Sequence, residues 1–109
     1  MSSTIRVQGL VVASGATIST EFAASGFTTF SIQLPSTFTG TGLTFQVATG
    51  VGGTYATLYS SASTAVPLTV TVSGAYQLPS QLSGFPAFKI VTGTAQATAV
   101  TLLVMGKSQ

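Results

Sequence analysis

Phe27-Thr-Thr-Phe-Ser-Ile-Gln-Leu34 is the stretch that decides the fold, because the apolar residues Phe30, Ile32 and Leu34 alternate with Ser31 and Gln33. Successive side chains of an extended chain point to opposite faces, so these residues form one apolar row and one polar row. The same period of two recurs in Leu43-Thr-Phe-Gln-Val47, with Leu43, Phe45 and Val47 in line. It recurs again in Pro67-Leu-Thr-Val-Thr-Val72, with Leu68, Val70 and Val72. A helix would need apolar spacings of three and four, which no stretch sustains. Working outward, further strands are expected at Ile5–Val12, Thr17–Phe22, Thr54–Tyr59, Phe88–Thr92 and Thr98–Met105, each bounded by Gly, Pro or Ser. Gly50-Val51-Gly52-Gly53 reads as a hairpin turn, Ser73-Gly74 and Thr92-Gly93 as strand stops, and Pro35, Pro79 and Pro86 as places where a central ladder ends.

About eight short strands without a helix predict an all-β chain, a single antiparallel β-sandwich or jelly-roll-like barrel. A chain of 109 residues fits one domain over residues 1–109, large enough for a modest core without metal or disulfides. Residues 1–10 are expected to act as an extended N-terminal contact arm, since a free chain end can add to a neighbour's sheet edge.

Composition excludes more than it suggests. There is no His, Cys, Asp, Asn or Trp, and Glu21 is the only carboxylate side chain. A Ser/His/Asp or Cys/His nucleophile system therefore cannot be assembled, glycoside hydrolysis lacks its second carboxyl group, and neither zinc nor calcium finds a ligand set. Lys89 is formally available for a Ser–Lys pair, but no Ser-x-x-Lys motif precedes it. The reading is of a non-enzymatic protein with no catalytic residue, no metal and no cofactor. The cations Arg6, Lys89 and Lys107 lie far apart in sequence, unlike the clusters that neutralise phosphates, so nucleic acid is not an expected partner. No apolar run approaches the length of a spanning helix and no aromatic girdle is visible, so no membrane role is expected either.

Apolar residues make up 45% of the chain and charged residues only 4%. A small free domain ordinarily keeps apart from its neighbours with a surface about a quarter to a third charged. This chain lacks that repulsion, which points to a surface covered by other subunits. The expected contact residues are Ile5, Arg6 and Val7 on the arm, with Phe38, Pro79 and Phe85 as apolar residues in loops. A competing reading makes Tyr55, Tyr59 and Tyr76 a stacking platform for glycans, in a receptor- or glycan-binding module.

From Phe30 to Gly106 the chain resembles a family of small virion proteins of tailed bacteriophages, the capsid decoration or cement proteins. The resemblance runs through Ile32-Gln-Leu-Pro35, Leu43-Thr-Phe-Gln-Val-Ala48, Gly52-Gly-Thr-Tyr55 and Leu58-Tyr59. It continues in Val70-Thr-Val72, Leu78-Pro79, Leu82-Ser-Gly84-Phe85, Phe88-Lys-Ile90 and Leu102-Leu-Val104. Related chains carry an acidic turn where this one has Gly50-Val51-Gly52. What the resemblance implies is a β-sandwich on the capsid surface of the virion, assembled in the host cytoplasm. It would reinforce contacts between subunits of the major capsid protein as a homo-oligomer, a trimer by analogy with a threefold lattice position.

Overall fold

The computed structural model describes residues 5–61, 64–65, 68–79, 82 and 84–108, with 59–61 and 64–65 as backbone. Among these residues the chain forms eleven strands: β1 (Ile5–Val12), β2 (Phe22–Ala23), β3 (Thr29–Gln33), β4 (Gly42–Ala48), β5 (Ala56–Thr57), β6 (Tyr59–Ser61), β7 (Thr64–Ala65), β8 (Leu68–Thr69), β9 (Ala75–Gln77), β10 (Ala87–Val91) and β11 (Val100–Lys107). Two antiparallel sheets carry the architecture, one ordered β1-β11-β3-β9 and the other β2-β10-β4-β5, with β8 also on β4 and a separate β6-β7 ribbon. The pairings are nested: β1 with β11, β2 with β10, β3 with β9, and β4 with β5 and β8. The first half of the chain thus runs back along the second while alternating between sheets, which is the winding of a jelly roll.

Side-chain alternation decides which residues meet between the sheets. Phe30, Ile32 and Leu34 from the β3 row face Leu43, Phe45 and Val47 of β4 across one core, joined by Leu10 and Val12 of β1, Phe88 and Ile90 of β10, and Val100, Leu102 and Val104 of β11. Phe22, Phe30 and Phe88 pack as an aromatic triplet. Phe22 and Phe88 each approach Phe30 edge-on at centroid separations of 5.9 and 5.2 Å, within the range in which the ring quadrupoles attract.

Four expectations need correction. The third apolar row breaks after Val70, because β8 ends at Thr69 and the chain turns at Ser73 (φ 60°), leaving Val72 48% exposed. Phe38 is no surface loop residue: it is 4% exposed and belongs to the core. The stretch Ile5–Leu10 is not a free arm but most of β1, which pairs with β11 along its whole length; Met1–Thr4 lie outside the described residues.

The fourth is Thr17–Phe22, expected as one strand, which lies beside β10 but makes only an isolated bridge at Ile18 before the ladder that begins at Phe22. Ser19 donates its N–H to the Ile90 carbonyl, while the Ile90 N–H goes to Ser19 Oγ instead of a backbone carbonyl. At the next residue the chain turns to the other sheet: the Thr20 N–H donates to Val11 O, and the Val11 N–H donates to Thr20 Oγ1. Two hydroxyls thus replace ladder carbonyls, and one short segment laces the β10 edge to the β1 edge.

Candidate interaction surface

The outward face of the β1-β11-β3-β9 sheet departs from the pattern that governs the rest of the chain. On β1 and β11 the outward positions include Ile5 (57% exposed), Val7 (61%), Val11, Leu103 (45%) and Met105 (40%). Thr29, Ser31 and Gln33 of β3 and Ala75 and Gln77 of β9 continue the same face. The strands twist across it to leave adjoining hollows. The most apolar, about 240 Å3, is lined by Val7, Ser31, Gln33, Ala75, Leu103 and Met105. Lys107 stands beside its neighbour along the sheet, and Pro35 and Thr101 help line a third.

Of the four charged side chains only Lys107, at the end of β11, shares this face. Arg6 points inward at the sandwich rim, its guanidinium 5.3 Å from the Phe22 ring centre and donating to Ala23 O (3.3 Å) and Gln8 Oε1 (2.6 Å). Glu21 and Lys89 belong to the opposite sheet. Glu21 Oε2 accepts the Gly52 N–H at 2.8 Å and the Tyr55 hydroxyl, and the Lys89 ammonium sits over the Tyr55 ring 4.5 Å from its centre. The single carboxylate therefore pins the β4–β5 turn to the start of β2. The Tyr55 and Gly52 donors hold its carboxyl below the usual carboxylate range, with Lys89 adding to the effect. Burial and the hydrogen bond to Glu21 push the Tyr55 hydroxyl well above the usual phenol range.

The expected contact residues are dispersed. Ile5 and Val7 lie on the exposed apolar face, Arg6 on the inner side of the same strand, and Phe38 in the core. Pro79 and Phe85 are half-buried, and Phe85 packs against the core from the loop before β10. The tyrosines do not assemble into one platform. Tyr55 is committed to Glu21 and Lys89. Tyr76 points inward from β9, its hydroxyl accepting the Thr71 N–H at 2.8 Å and lying 2.9 Å from Thr71 Oγ1. The Tyr59 side chain lies outside the described residues.

Leu103 and Met105 were missed as surface residues, although a signal was present. In Leu102-Leu-Val-Met105 apolar residues occupy both parities of a strand, where in the Phe30 and Leu43 rows Thr, Ser or Gln takes the outer one. A strand that is apolar on both faces needs a partner on both.

No protein-family model and no curated protein matches this chain. Among solved structures it is similar to the SPBc2 prophage-derived protein YomS, with a TM-score of 0.67 at 10% identity over 99% of this chain and 96% of that one. The likeness establishes a shared fold over the whole length.

Proposed function

We propose that this chain is a non-enzymatic structural protein of a phage particle. In this reading it seats the outer face of its β1-β11-β3-β9 sheet on neighbouring subunits, decorating the capsid exterior and reinforcing contacts within the major capsid protein lattice. The observation that carries the reading is the apolar patch built from Val7, Leu103 and Met105, with Lys107 at its margin, on a molecule with four charged side chains in 109 residues. Such a face costs free energy while wet and returns it when covered. Modest patches repeated at many symmetry-related places hold a shell through multivalency. The prophage origin stated for the structural neighbour is consistent with this reading, as is the resemblance to decoration proteins.

The copy number of the chain relative to the major coat protein in purified particles tests it. A ratio of about one per coat subunit, or a simple lattice fraction, is expected for a decoration protein. A few copies per particle would move the chain to a tail, neck or fibre, and its absence from particles would overturn the reading.

A further inference from the structure

The hydrogen bonds of β1 identify an open edge. Val11 turns both its N–H and its C=O away from β11, to Thr20. Backbone groups on a strand alternate in direction, so those of Ile5, Val7 and Gly9 turn outward as well, while Arg6, Gln8 and Leu10 bond to β11. Beyond Thr20 no hydrogen bond among the described residues reaches this edge. Proteins commonly blunt such an edge with proline, lysine or a bulge; Ile5–Gly9 has none of these, and its one charged residue, Arg6, is turned under the sheet.

We propose that a second copy of this chain occupies the edge, its β1 pairing antiparallel with the first about a two-fold axis at Val7. In this register Val7 opposes its own counterpart and Ile5 opposes Gly9, so that Ile5, Val7 and Gly9 of each copy all exchange both backbone bonds. Within Ile5–Gly9 no shifted register pairs all three. On the outer side Ile5 of one copy lies beside Gly9 of the other and meets Thr101, whose methyl already leans over that glycine: a Cβ built on Gly9 would stand 2.6 Å from Thr101 Cγ2. On the inner side Arg6 opposes Gln8 and not the second Arg6. A two-fold perpendicular to the sheet keeps both outer faces on one side, so the sheets fuse into eight strands and the Val7, Leu103 and Met105 patches become one apolar strip. The chain's net charge of only +2 offers little repulsion to oppose the pairing. Antiparallel edge pairing closes at two copies, leaving any threefold arrangement to other surfaces. The proposal holds whether or not the chain sits on a capsid.

The full chain in analytical ultracentrifugation should show reversible association from 10.9 kDa to twice that mass. Val7→Pro removes an outward N–H while leaving the β1–β11 bonds in place, and should weaken association roughly 100-fold, since symmetry deletes two bonds. Register is read independently by oxidation, because the chain has no native cysteine. Val7→Cys should cross-link rapidly across the axis. Ile5→Cys should not, because its two thiols would lie on residues four positions out of register, about 13 Å apart along the strand. A chain that stays monomeric at millimolar concentration, or Ile5→Cys cross-linking as fast as Val7→Cys, would overturn the proposal.

Discussion

Gln96 joins two loops through one buried side chain. At 2% exposure its Oε1 accepts the Thr39 N–H at 2.9 Å, and its Nε2 donates to Thr39 O at 2.9 Å and Thr94 O at 3.1 Å. Replacing it with leucine keeps the volume but takes this partner from the Thr39 N–H and C=O, while Thr94 O keeps the Thr92 hydroxyl. Gln96→Leu should therefore lower stability by about 1–3 kcal/mol, read as a lower denaturant midpoint with unchanged slope. Glu21 makes a different kind of prediction. Its carboxyl titrates below its ordinary value of 4.5 in the folded chain, because Tyr55 and Gly52 donate to the charged form. The stabilisation is thus complete above 4.5 and drains away as pH falls below it toward the lowered folded value. As no other side chain is a carboxylate, thermal melts of Glu21→Gln should lose that acid-limb slope while the parent keeps it. Parallel melting curves of the two through the acid range would contradict the assignment.

Strand by strand, legibility followed the alternation. β1 occupies the expected Ile5–Val12 and the rows at Phe30 and Leu43 are buried as read, because each needs only period two. β9 was missed: Ala75-Tyr-Gln77 is too short to show a period, and it is a strand because β3 offers it a ladder at Ser31, Ile32 and Gln33. Thr17–Phe22 was over-read as one strand because a hydroxyl that replaces a ladder carbonyl looks, in sequence, like any polar alternation. β11 adds a position where alternation conceals a fit. Gly106 continues the inward row of Val100, Leu102 and Val104, yet a Cβ built there would stand 2.9 Å from Phe27 Cγ and 3.2 Å from Phe22 Cζ. The strand narrows to let the aromatic cluster pass over it. Gly106→Ala should cost about 1–3 kcal/mol by overpacking, although alanine suits a strand better than glycine by propensity. A variant as stable as the parent would show that the phenylalanines can shift.

At the scale of the molecule, the two outer faces divide the labour. One sheet carries Glu21, Tyr55 and Lys89, which satisfy one another; the other carries, beside Lys107, apolar side chains that no described residue covers. Composition alone made association legible but could not say where, because the location depends on which parity of β1 and β11 the fold turns outward. Leu103→Thr combined with Met105→Thr separates the two duties of β11. Both side chains point away from the core, and threonine keeps β-propensity, so the fold should hold within about 0.5 kcal/mol in chemical denaturation. Incorporation into particles should nevertheless fall several-fold by quantitative mass spectrometry, because every copy loses the same apolar contact and the loss is multiplied over the lattice. Unchanged incorporation of a stably folded double variant would mean that the particle is held through some other surface. The opposite sheet, with its bound carboxylate and capped tyrosine, would then be the face to vary next.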